Sequence, residues 1–180
     1  YGVSWIYDYA FYDCANLKSV AIGDTVLTIG EYAFGKCSEL VSVSIGKSVK
    51  TIGDSAFNEC YNMQYISIPN SVLSIGDYAF SECTGLEVVT IGDGVQTICD
   101  GAFNRCSNLT YISFGKSVQV ICADAFAQCY SIKSLVIPNS VTSIGDCAFM
   151  PCSSMTSVSI GDGVLSIGEC AFLGCTDLMS

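Results

Sequence analysis

The chain contains no histidine, and its seven lysines and arginines stand against 17 aspartates and glutamates. The missing imidazole removes the commonest general base and the commonest zinc ligand together. A net charge of −10 opposes nucleic-acid binding, which needs clustered Lys and Arg to displace counterions, and it disfavours anionic membrane surfaces. Although 51% of the residues are hydrophobic, no apolar run reaches the roughly 18 residues a spanning helix needs, so no membrane insertion is expected within this segment. There is no C-x-x-C metal spacing, no nucleophile–base pair, no glycine-rich phosphate cradle and no paired-carboxylate signature. No cofactor and no metal are expected, and an enzyme is not expected. The sequence opens on neither an initiator Met nor a signal-peptide pattern, and both ends cut a repeat mid-coil, which suggests a piece of a longer protein.

What the chain does have is a ruler. Eight Ala-Phe pairs begin at Ala10, Ala33, Ala56, Ala79, Ala102, Ala125, Ala148 and Ala171, each 23 residues from the last. Three residues after each Phe stands a cysteine, from Cys14 and Cys37 to Cys152 and Cys175. A fixed period in the twenties predicts a solenoid, in which one coil buries its apolar face only against its neighbours. Residues 1–180 are therefore one continuous array of about eight coils. Stacked near-identical coils make a surface, whereas catalysis usually needs unlike groups converging on one point.

Within one coil, Leu40-x-x-Val43-x-Ile45 alternates inward Val43 and Ile45 with outward Ser42 and Ser44, which predicts a strand stacked in parallel on its equivalents about 4.8 Å apart. A turn follows, as in Gly46-Lys47-Ser48 or Pro69-Asn70-Ser71. Val49-x-x-Ile52 reads as a second short extended piece whose facing is ambiguous, because a spacing of three fits no clean strand. Asp54 then looks like an N-cap for one helical or 3₁₀ turn, with Ala56, Phe57 and Cys60 on a shared face. The turns also carry a longer three-coil period (Gly-Asp, Gly-Lys, Pro-Asn), which sets Asp24 beside Lys47 and Asp93 beside Lys116.

The string L-x-x-V-x-I-[GP]-x-x-V-x-x-I-G-[DE]-x-A-F-x-x-C resembles the BspA-type, or Treponema pallidum-type, leucine-rich repeat over essentially the whole chain. The resemblance implies an α/β solenoid: a leucine-rich-repeat array with parallel β-sheet on one face and short helical or 3₁₀ turns on the other. It further implies a cell-surface or secreted protein of anaerobic or mucosal microbes, with members that act as adhesins on host matrix proteins or other cells. It brings no catalytic residues. Cys99 and Cys122 depart from the pattern by replacing the Gly after Ile, and Ala123 replaces the acidic residue.

Four groups of residues invite a functional or a plain structural account. The cysteine file is expected to be buried and reduced; Cys99/Cys122 and Cys147/Cys170 form one-coil pairs at which a bridge stays open. The acidic file (Asp8, Glu31, Asp54, Asp77, Asp100, Asp146, Glu169) is expected to cap helical turns, with a divalent-cation ladder the less favoured account. On the outward strand surface, small hydroxyl residues give way in the middle to Tyr65, Val88 and Tyr111, beside Ser67, Thr90 and Ser113. This patch is either a recognition site for a protein or glycan or aromatic packing on a sheet surface. Tyr1, Trp5, Tyr7, Tyr9 and Tyr12 are expected to cover the open N-terminal end, or else to pack on a missing coil or a second molecule. Adhesion through the strand face is thus weighed against a structural spacer or fibre built by end-to-end self-association, with an intracellular scaffold as a third account.

Overall fold

A computed structural model describes residues 2–180. Fifteen short strands succeed one another: β1 (Trp5–Ile6), β2 (Ser19–Ala21), β3 (Thr28–Ile29), β4 (Ser42–Ser44), β5 (Thr51–Ile52), β6 (Tyr65–Ile68), β7 (Ser74–Ile75), β8 (Val88–Ile91), β9 (Thr97–Ile98), β10 (Tyr111–Ser113), β11 (Val120–Ile121), β12 (Ser134–Ile137), β13 (Ser143–Ile144), β14 (Ser157–Ile160) and β15 (Ser166–Ile167). The odd-numbered strands form one eight-stranded parallel sheet, in strict order from β1 to β15. The even-numbered strands form the other face, in three sections: β2–β4, β6–β8–β10 and β12–β14. Every pairing is with the residue 23 positions away, for example Ile6↔Ile29 and Val43↔Val20. The solenoid therefore carries sheet on two faces, and the continuous one is the short segment whose facing the sequence left ambiguous.

That ambiguity has a simple resolution. Val49 lies in a turn, its N–H donating to the Gly46 carbonyl, and only Thr51–Ile52 is strand. The bend lets Val49 and Ile52 both point inward, at 0% and 1% exposure, despite a spacing of three. From Ile6 to Ile167 the sheet spans about seven full turns, one fewer than the eight Ala-Phe pairs suggest, because the first and last coils are incomplete.

The phenylalanines run in a single file through the centre. Ring centroids of successive Phe residues from Phe11 to Phe172 lie 5.0–5.4 Å apart, with planes within 8° of parallel. The coil pitch imposes this spacing, which lies within the range of centroid distances at which aromatic rings attract. Around them each coil contributes the same inward set: Leu40, Val49, Ile52, Ala56, Phe57 and Cys60, for instance, are all at most 1% exposed. Each buried ring contributes about 1.5–3 kcal/mol.

The third face holds neither α- nor 3₁₀-helix; among the described residues there is no helix of any kind. The backbone is broken twice in most coils by residues in the left-handed region, such as Ser55 (φ 53°) and Glu59 (φ 58°), or Tyr78 (φ 54°) and Glu82 (φ 59°). These alternate the direction of the amides. In one coil the N–H groups of Ala33, Gly35 and Cys37 close turns onto Gly30, Tyr32 and Phe34, while those of Tyr32, Phe34 and Lys36 reach the next coil at Asp54, Ala56 and Asn58. A helix would direct every N–H along its own axis; here every second one ties the coil to its neighbour. Burial of Ala, Phe and Cys on one side is equally compatible with both geometries.

The acidic file is corrected for the same reason. With no helix to cap, each aspartate instead bridges coils: Oδ1 of Asp8, Asp54, Asp77, Asp100 and Asp146 accepts the backbone N–H of the residue 23 positions on, at 2.7–3.1 Å. A second such ladder runs along the turns through Asp24, Asn70, Asp93 and Asn139. Like charges are tolerated in file because these five aspartates each meet a backbone donor. The three-coil period also pairs charges as its spacing implies, with Lys47 Nζ 3.2 Å from Asp24 and Lys116 Nζ 3.4 Å from Asp93. The Lys47 backbone N–H, then its ammonium, hold the Asp24 carboxyl below its ordinary value, and Lys116 does the same for Asp93. A carboxylate with a lowered pKa contributes stability above the ordinary carboxylate range and loses it as pH falls. Both groups are exposed, so the contribution is small.

All twelve cysteines are free thiols, including Cys99, Cys122, Cys147 and Cys170. The buried ones are more than small hydrophobes: each Sγ–H donates to the Phe carbonyl of the preceding coil, as from Cys83 to Phe57 at 3.1 Å and from Cys106 to Phe80 at 3.2 Å. Burial pushes the Cys37 thiol up to about 12 and raises Cys106 and Cys152 as well. Since the thiolate is the reactive species, a thiol-specific alkylating agent should label the exposed Cys14 and Cys170 within minutes. The buried Cys37, Cys60, Cys83, Cys106, Cys129 and Cys152 should react only after denaturation. Equal labelling of all twelve in native protein, read by mass spectrometry, would contradict this core.

Candidate functional site

Among the described residues the middle section of the even-strand face is the only one with three strands, and the tyrosine patch lies on it. Parallel pairing sets Tyr65 and Tyr111 on either side of Val88, and Ser67 and Ser113 on either side of Thr90. Alternation along each strand decides what is presented: in β6, Tyr65 and Ser67 face out while Ile66 and Ile68 are buried. Tyr65, Val88 and Tyr111 are 53%, 36% and 57% exposed. Ser67 and Thr90 are exposed and Ser113 half-buried. The structure thus brings all six sequence-selected residues together on one continuous surface two strands of spacing wide.

The residues beside this patch matter more than their composition suggests. Ser19, Ala21, Ser42 and Ser44 floor a shallow hollow of about 490 Å³, with Tyr65 and Pro69 at its edge. Small residues on two successive coils, followed by a tyrosine on the third, create a step in the surface. On the far side of the section, Phe114 takes the place held by isoleucine in other coils, turns edge-on to Phe126 at 5.9 Å, and stands where β10 fails to pair with β12.

The N-terminal aromatics do not close the end of the stack. Tyr9 stacks on Tyr32 at 5.2 Å, and Tyr12 meets both edge-on at 5.5 and 5.8 Å, so these rings line the turn face. The repeat itself carries them there, since Tyr9 and Tyr32 occupy equivalent positions. Trp5 and Tyr7 remain 55% and 75% exposed beside an apolar hollow of about 550 Å³ at the open first coil, lined in part by Ile6, Phe11 and Phe34. Tyr1 lies outside the described residues.

Nothing in the spacing of the sequence singled out the turn face, yet it holds a hollow of about 460 Å³ between Tyr32 and Tyr78. The signal was present in the file Tyr9, Tyr32, Ser55, Tyr78, Gly101, where a small residue follows Tyr32 and another follows Tyr78. On that face Glu82 and Arg105 are ion-paired at 2.8 Å, and Tyr61 donates to Glu59 at 2.6 Å. That carboxylate, followed by burial, raises the Tyr61 phenol to about 12. Among the described residues no cluster of three or more potential metal ligands occurs.

Solved structures with this architecture are leucine-rich-repeat proteins. A Treponema pallidum leucine-rich-repeat protein is 25% identical with a TM-score of 0.73, covering 99% of this chain and 72% of its own. A leucine-rich cell-surface protein of Faecalibacterium prausnitzii is 26% identical with a TM-score of 0.55, covering 99% of this chain and 66% of that one. A Bacteroides ovatus leucine-rich-repeat protein, 22% identical at a TM-score of 0.54, shares the fold. No curated protein matches the chain. The model of the BspA type leucine-rich-repeat region matches in six copies over residues 4–133 and 119–180, and the chain belongs to that family.

Proposed function

We propose that the chain is a non-enzymatic binding module of a microbial cell-surface or secreted protein, engaging a protein or glycan through the strand face. The observation that supports this most is the exposed Tyr65–Val88–Tyr111 row, raised above a floor of small residues on the best-formed section of the sheet. Tyrosine offers a large contact area at little conformational cost and dominates the energetics of many interfaces. The F. prausnitzii relative, described as a cell-surface protein, supports the location.

The test is binding to immobilised extracellular-matrix proteins and mucin glycans, comparing the native chain with the Tyr65→Ser/Tyr111→Ser double variant. Loss of two such contacts should weaken binding by at least about 100-fold, while stability stays within about 1 kcal/mol. Unchanged affinity would remove this site.

A further inference from the structure

We propose that the slot between Tyr32 and Tyr78 on the turn face binds the terminal unit of a neutral oligosaccharide, its pyranose ring against the face of Tyr32. This site is separate from the strand face and does not depend on it.

The slot arises from one small residue in a file of large ones. Tyr32, Ser55 and Tyr78 occupy the same position in three successive coils, all with left-handed backbone at φ 49–54°. Tyr9 stacks on one side of the Tyr32 ring at 5.2 Å and 13°, so the ring stands across the axis and its other face looks towards Ser55. Ser55, only 6% exposed, puts no ring over that face. The Tyr78 ring lies away from Ser55, against Gly101 of the following coil, where a Cβ would strike it; the left-handed φ of 59° at Gly101 also suits glycine. Two coils of roughly 4.8 Å each therefore separate the tyrosines, and the equivalent position between them holds only the small Ser55.

The chemistry of this hollow matches a sugar better than an apolar ligand. An aromatic face held upright by its neighbours suits the C–H face of a pyranose, and the surrounding groups are hydroxyl and amide. Asn58 gives one N–H to the Ser81 carbonyl at 3.1 Å, which fixes the amide and leaves its oxygen and second N–H for a ligand. Asn104 presents a second amide one coil beyond Ser81. Arg105 is engaged by Glu82 and Asp124 borders the slot, so an anionic sugar is disfavoured.

The test titrates the chain with tetrasaccharides of β-1,4-glucose, β-1,4-N-acetylglucosamine and α-1,6-mannose, followed by calorimetry and ligand-observed NMR. At least one should bind saturably, with Kd at or below about 1 mM. Ser55→Tyr should fold, because the file already accepts tyrosine with the same backbone, and the added ring should fill the slot and abolish binding. Asn104→Ala should weaken binding about five- to tenfold. Tyr65→Ser/Tyr111→Ser should leave this affinity unchanged, so failure here and failure of the strand-face site are separable. No saturable binding of any tetrasaccharide overturns the proposal, as does undiminished binding by folded Ser55→Tyr. If that variant does not fold, native affinity in Asn104→Ala overturns it instead.

Discussion

Replacing Phe80 by alanine should cost about 3–5 kcal/mol, the upper range for truncating a buried aromatic. The ring is 0% exposed and lies between Phe57 and Phe103, 5.2 Å from each. Its removal leaves a void bounded by rings on both sides, and the fixed coil pitch prevents the file from closing over it. In a solenoid stability is a sum of coil terms and nearest-neighbour terms, so a central vacancy weakens two interfaces at once and uncouples the halves of the array. Phe11→Ala is the matched control: that ring is 43% exposed and stacks only on Phe34 among the file, so its loss should cost about 1 kcal/mol or less. Urea denaturation gives both numbers. Equal losses at the two positions would mean that the file is not a continuous core.

Introducing aspartate at Val89 should be more damaging still, with a loss of about 4 kcal/mol or more, or no soluble folded protein. Val89 is 0% exposed and pairs in register with Ile66 and Ile112. A carboxylate there has no donor and must desolvate or take up a proton, either of which is costly. Val88→Asp, one residue earlier on the same strand, faces water and should change stability by about 0.5 kcal/mol, while disrupting the proposed tyrosine patch. Circular dichroism and soluble yield distinguish the pair. Similar behaviour of the two variants would contradict the inward–outward assignment of β8.

Much of this was legible in the chain alone because its physics repeats. Eight copies of Ala-Phe-x-x-Cys admit few arrangements other than a file of rings, and the alternation of Val43 and Ile45 with Ser42 and Ser44 assigns the two sides of a strand without coordinates. The tyrosine patch follows from that alternation plus the 23-residue ruler. What the chain alone does not carry has a common cause: local spacing does not fix local bonding. Ala56 and Cys60 four apart suggested helix, yet they share a face equally well when Ser55 and Glu59 turn left-handed and alternate amides leave the coil. Asp54 resembled a cap for nearby N–H groups, whereas its partner is the Asp77 amide one whole coil away. The slot beside Asn58 and Tyr78 is not legible in the sequence, since it depends on how the rings are oriented, and no single residue type records that.

The period and the inward residues were thus determined by sequence: a face that is apolar every 23 residues can be hidden only by stacking on its own copy. The conformation of the third face, the ladders of Asp and Cys between coils, and the hollows beside Tyr65 and Tyr32 were decided in the tertiary structure. They arise from contacts between residues far apart in the chain, and the pitch that brings those residues together exists only once the coils have closed on each other.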